Sequence, residues 1–198
     1  AQQFFVRALE VLDSHGADYI GMLPPMGFTL PREDIEIAVL KYAMEIAEAG
    51  LEAGIKALEI GVTEREVAAE IEYVMRKMGS EGSGIDTIVG FGKVNTYPIL
   101  TRTTFNKLSP GDLVLLTIAP RYEGYHGVIG RPIAMGDQPK EIKHAIESAI
   151  KASEASEKML KVGAVGADIS NAGLDVLRDA GLIEICRYSG IHSIGTSE

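Results

Sequence analysis

A single cysteine in 198 residues leaves nothing for an intrachain disulfide to pair with. That scarcity suits a reducing compartment, and the setting of Cys186 behind Leu182, Ile183 and Ile185 reads as core rather than as a nucleophile. No apolar run is long enough for a bilayer and no charged-then-apolar leader opens the sequence, so no membrane partner is expected and the localisation reads as cytoplasmic. Basic residues are in deficit, with 19 Lys and Arg against 28 Asp and Glu and a net charge of -9. A phosphate-tracking surface needs clustered cations to displace counterions, so nucleic acid is not an expected partner. A phosphate loop is missing too, because the glycines between Gly79 and Gly84 are followed by neither a Lys-Ser/Thr pair nor a helix start. What remains is ordinary globular composition, 46% hydrophobic and 24% charged, which argues against disorder.

Apolar spacing at Phe5, Leu9 and Leu12 predicts a helix over Gln2 to His15, and Gly16 separates it from a short strand ending at Met22. Pro24, Pro25, Gly27 and Pro31 then mark a linker, so residues 1–32 read as the tail of an N-terminal domain plus linker and residues 33–198 as the main domain. Asp34 can cap a long helix carrying Ile35, Val39, Tyr42, Ile46, Ala49 and Ala53, running to about Leu58. Thr63 followed by Glu66 is a capping box that opens a second helix, stopped at Gly79. Its Glu64, Glu66, Glu70 and Glu72 alternate with Val67, Ile71, Val74 and Met78 and are expected on its solvated face. Asp86 to Gly92 and Leu113 to Ala119 predict buried strands, with Arg121 to Gly124 turning into a third that runs through Ile133.

The plan then recurs. Shifting Lys41 onto Lys143 also places Ala43 on Ala145, Glu45 on Glu147, Lys56 on Lys158, Gly61 on Gly163, Arg76 on Arg178 and Gly79 on Gly181. The coincident glycines and equal helix-turn-helix lengths predict an internal duplication. Two helix-helix-strand halves would form one curved, mixed sheet covered on one face and open on the other.

Several motifs together carry a resemblance. They are G-V-T-E-R-E-V at Gly61, I-V-G-F-G at Ile88, the block LSPGDLVLLTIAPRYEGYHGVIGRPIAMG from Leu108 to Gly136, and GIHSIG from Gly190 to Gly195. Over residues 34–198 the chain resembles the creatinase, prolidase, Xaa-Pro aminopeptidase and methionine aminopeptidase family. The resemblance implies the α+β pita-bread fold, with two pseudo-symmetric halves. In that family a strand reading GD-x-V-x-x-D precedes a hairpin reading GY-x-x-D-x-x-R, and both final Asp of those patterns are metal ligands. Gly111, Asp112, Val114, Gly124, Tyr125 and Arg131 fit the pattern, whereas the ligand positions hold Thr117 and Val128. Neither side chain replaces a carboxylate at a divalent cation. The expectation is therefore no metal centre and no cofactor.

His192 stands where the family has a metal-binding His, and it becomes the candidate catalytic, proton-moving residue. Creatinase has this fold and breaks a C–N bond without metal through a His, but Leu100 occupies that position, with Tyr97 nearby. Tyr97, Tyr125, His126 and Arg131 are candidates for substrate binding. His126 would share a face with Val128 by strand alternation, with a solvent-facing turn position as the other reading. For Tyr125 and Arg131 the structural alternatives are packing in the sheet and pairing with Asp112 or Glu123. His15 and His144 read as companionless surface residues.

The expected activity is hydrolysis of an amide or amidine C–N bond in a small molecule or short peptide by a homodimer. A catalytically inactive peptide- or protein-binding module is the alternative, and an ordinary metallopeptidase with ligands in another register is a third. Ala1 in place of Met, and a family motif so near Glu198, lead us to expect a piece of a longer protein, incomplete at its C-terminus.

Overall fold

A computed structural model of the protein describes residues 34–93, 95–96, 102–186 and 194–196. The expected unit at Gln2 to Met22, its linker, Tyr97, Leu100 and His192 lie outside the described residues. Helix α1 spans Asp34–Lys56 and α2 spans Glu64–Lys77. The capping box forms as expected: Glu66 N–H donates to Thr63 Oγ1 at 3.2 Å, and Thr63 N–H donates back to Glu66 Oε2 at 2.8 Å. Strands β1 (Gly82–Ser83), β2 (Ile88–Phe91), β3 (Leu113–Ile118), β4 (Pro120–Tyr122), β5 (Tyr125–His126) and β6 (Ile129–Ala134) follow. The chain continues through α3 (Lys140–Lys158), α4 (Gly166–Asp179) and a 3-10 turn at Ile183–Ile185.

The expected third strand is divided. Glu123 and Gly124 both take positive φ, 48° and 79°, which is the geometry of a tight two-residue hairpin, so Tyr122 pairs back onto Tyr125. Strands β1, β4 and β5 thereby form one small antiparallel sheet, while β2, β3 and β6 form a second, with β3 in its centre. The chain passes from one sheet to the other at Gly127, whose Cα touches α1 so closely that an added Cβ would lie 2.3 Å from the Ala43 carbonyl oxygen.

Alternation along β3 sorts the core. Val114, Leu116 and Ile118 are buried, and they join Ile46, Ala47, Val67, Ile71 and Met75 of α1 and α2 in one cluster, with Val89 and Phe91 of β2 beside them. Leu113, Leu115 and Thr117 face the other way and are half-buried. Among the described residues the sheet therefore has one face covered by helices and an open one that no helix covers.

The internal repeat is visible in the packing. Ser148 and Ala152 are the buried residues of α3, and Ile169 and Gly173 those of α4. Under the shift that carries Lys41 onto Lys143 they superpose on Ile46, Gly50, Val67 and Ile71, all buried in the first helix pair. Even the crossing contact recurs, since Gly54 meets Ile71 in the first pair and Ser156 meets Gly173 in the second. Among the described residues α3 and α4 pack chiefly on each other.

Candidate functional site

Of the two positions that decide the chemistry, one lies within a strand and the other in a link between strands. Thr117 points to the open face of the sheet, in register with Ile88 on β2 and Gly130 on β6. Val128 lies in the short link between β5 and β6, half-buried, with its amide N–H donating to the Met44 thioether at 3.3 Å. A hydroxyl and an isopropyl group replace two anionic ligands, and a soft sulfur stands beside the second. Among the described residues no three His, Cys, Asp or Glu side chains converge as cation ligands. This donor set does not fit the dinuclear centre that the fold family implies.

Tyr125 is 5% exposed, and its hydroxyl donates to Glu36 Oε1 of α1 at 2.6 Å. The contact ties the hairpin to the first turn of α1. Arg131 is exposed, and its Nη1 donates to the Gly130 carbonyl at 2.6 Å. Its register partner is Leu116, whereas Thr117 pairs with Gly130, so Arg131 and Thr117 belong to opposite faces of the sheet. Asp112 accepts the Ser109 amide at 2.8 Å and closes the turn before β3.

His126 is 6% exposed. Alternation from β5 does not carry to Val128, because β5 ends at His126 and the chain turns against α1 at Gly127 before β6 begins. The side chain instead meets the end of the GIHSIG segment: the backbone N–H donates to the Gly195 carbonyl at 2.8 Å, and ring Nδ1 approaches the same oxygen at 3.1 Å. Burial holds the His126 pKa below the ordinary imidazole value, with Arg121 adding to the effect while the Gly195 bond and Glu81 oppose it.

Sequence reasoning placed Glu64 on a solvated face, and the structure overturns this. Glu64 is fully buried and accepts from Phe91 N, Asn95 Nδ2, Thr104 N, Thr104 Oγ1 and Asn106 Nδ2, at 2.6 to 3.3 Å. Asn95 also donates to the Arg102 carbonyl at 3.1 Å. The two flanks of the segment that contains Tyr97 and Leu100 are thus tied to one carboxylate. No local periodicity signals this, because every donor lies beyond the helix. His144 is exposed as expected but has a companion, its Nε2 lying 3.0 Å from the Ala180 carbonyl at the end of α4.

An antiparallel sheet backed by one helix pair, followed by a second pair of the same design, is the α+β architecture of the pita-bread proteins. Residues 38–198 match metallopeptidase family M24, and the chain belongs to that family. The Xaa-Pro dipeptidase of Pyrococcus horikoshii is 27% identical over 164 residues, 83% of this chain and 46% of that protein. The putative dipeptidase YkvY of Bacillus subtilis is 31% identical over 170 residues, 86% of this chain and 47% of that one. Among solved structures, the X-Pro aminopeptidase from Thermotoga maritima superposes with a TM-score of 0.77 at 30% identity, covering 84% of this chain and 46% of that one. The prolidase from Pyrococcus horikoshii superposes at 0.80 with 27% identity, covering 84% and 48%. The chain spans about half the length of the curated relatives it matches.

Proposed function

We propose that this chain belongs to a hydrolase that cleaves the C–N bond of a short peptide or a small amide or amidine without the metal centre of its relatives. The observation that carries the reading is the pairing of a family match over residues 38–198 with Thr117 and Val128 at the ligand positions. Cleavage without a cation needs a group that moves protons near neutral pH, and imidazole is the side chain suited to it. We assign His192 to protonating the departing nitrogen. Tyr97 and His126 are the proposed substrate-binding groups; for Tyr125 and Arg131, the other two candidates, the contacts to Glu36 and Gly130 favour supporting roles around the site over direct contact. The working form is proposed to be a cytoplasmic homodimer.

A second reading, a binding module without turnover, is favoured by one observation. The amide of Val128 rests on Met44 sulfur and the sheet face around Thr117 carries Leu113 and Leu115, so the surroundings of the lost ligands are apolar. Purified protein assayed on Ala-Pro and on small amide or guanidino compounds, with and without chelator and with His192→Ala alongside, separates the readings. Chelator-resistant turnover that His192→Ala abolishes is the expected result. Turnover that chelator removes sinks the metal-free reading, and binding of the dipeptide with no turnover supports the module.

A further inference from the structure

Two donors of His126 converge on one acceptor 69 residues further along the chain. The main-chain N–H donates to the Gly195 carbonyl oxygen at 2.8 Å, and ring Nδ1 reaches the same oxygen at 3.1 Å. A carbonyl has no hydrogen to give, so Nδ1 carries the proton and the neutral ring keeps its lone pair on Nε2. Both His126 and Gly195 are buried. An uncharged imidazole thus takes part in joining residues 194–196 to β5.

The hairpin is the anchored side of this joint. Tyr122 pairs with Tyr125, Glu81 Oε2 accepts from both Arg121 Nε and the Gly124 amide at 3.2 Å, and Gly127 presses on Ala43 of α1. Its charges are arranged around the ring. Arg121 stands opposite His126 in register on β4, Glu81 precedes β1 and holds the Arg121 guanidinium, and on α1 Glu36 accepts from the Tyr125 hydroxyl. Residues 194–196 are Ile, Gly and Thr and bring no charge. A second ring proton would therefore place a cation in a buried position beside another cation. Burial is the largest influence on the ring and Arg121 adds to it, while the Gly195 bond and Glu81 oppose them, so the His126 pKa stays below the ordinary imidazole value.

We propose that His126 is an acid-released pin: while its ring is neutral it holds residues 194–196 on β5, and on protonation it lets them go so that the imidazolium reaches water. The docked arrangement binds the second ring proton less readily than the released one. Docking is therefore complete above the ordinary imidazole value, and it is lost as the pH falls from there through the lowered value of the docked ring. Imidazole is the side chain whose titration lies next to physiological pH. The pin acts through Nδ1 and the main chain and does not depend on the hydrolase reading. Because the GIHSIG segment ends at Gly195, acid disengages the end of that motif from the hairpin.

The test uses the full chain labelled with nitrogen-15 and carbon-13, titrated from about pH 8 to about pH 5 and followed by NMR. Two readouts report on the joint: the protection of the residue 126 amide against exchange, corrected for its intrinsic rate, and the carbonyl carbon shift of Gly195. We expect the His126 ring to titrate below the value of a free histidine. Protection of the residue 126 amide is expected to fall by up to about tenfold per pH unit over the same interval, and the Gly195 carbonyl to shift with it. The amides of β3 are expected to stay protected. His126→Asn keeps a side-chain donor without a titrating group, and in it both readouts should stay level across the interval. A ring that stays neutral throughout, or one that protonates while the residue 126 amide keeps its protection, overturns the proposal. Loss of β3 protection in the same step overturns it too, since the whole domain would then be opening. So does an unchanged pH dependence in His126→Asn; should that variant fail to fold, the wild-type titration decides alone.

Discussion

Five donors converge on the Glu64 carboxylate, and their number decides which way its ionisation is pushed. Burial raises its pKa, but the bonds from Asn95, Thr104 and Phe91 together outweigh burial and hold it below the ordinary Glu value. The folded state therefore binds this proton less readily than the unfolded chain. Its contribution to stability is complete above the ordinary Glu pKa and is lost as the pH falls through the lowered folded-state value. Glu64→Gln puts an NH2 where an acceptor oxygen stands, and the Phe91 and Thr104 backbone amides there can only donate, so we expect a loss of about 2–4 kcal/mol, from the cost of leaving buried donors unpaired. Urea unfolding at neutral pH measures it, and the gap between wild type and variant should narrow on acidification. An unchanged midpoint would remove Glu64 from its place in the core. The same residue marks a limit of sequence reading: Glu64 and Glu66 are one helical turn's near neighbours, yet one meets a loop folded back from beyond β2 and the other caps its own helix.

Elements meet closely where side chains are absent, and the consequence depends on what stands opposite. A Cβ at Gly127 would lie 2.3 Å from Ala43 O and 2.7 Å from Met44 N, both backbone atoms within α1. At Gly54 it would lie 2.8 Å from Ile71 Cδ1, the far end of a side chain that can turn away. Gly127→Ala must shift either α1 or β5, and we expect it to lose about 3 kcal/mol or more, against about 1 kcal/mol for Gly54→Ala. Thermal unfolding of the two variants side by side checks the order, and equal losses would contradict it. Helices and strands were largely legible in the sequence because capping and alternation are local, as Thr63 with Glu66 and Val114 with Leu116 demonstrate. The division of the third strand was not. The turn was marked at Arg121 to Gly124, but the close approach of Gly127 to α1 depends on packing that no local pattern encodes. Register likewise decides that Arg131 and Thr117 face apart, a fact invisible in the spacing of GD-x-V-x-x-T and GY-x-x-V-x-x-R.

At the scale of the whole molecule, the duplication was visible in the sequence because paired glycines and charges recur, and the structure extends it to the buried positions. The two copies are nevertheless built of unequal material. Ile46, Val67 and Ile71 line the first seam, where Ser148, Ile169 and Gly173 stand in the second. Each aliphatic side chain buried contributes about 1.5–3 kcal/mol that serine or glycine does not replace. The first pair also rests on β2, β3 and β6, while among the described residues α3 and α4 pack chiefly on each other. Opening of a native protein proceeds in units set by such differences in buried apolar contact. Amide hydrogens of α3 and α4 are therefore expected to exchange with deuterium through a partial opening, well before those of α1, α2 and β3, whose release requires loss of the whole domain. Equal protection across both pairs would refute this. Two copies of one helix-pair design are thus expected to part company in time, one opening late and the other early.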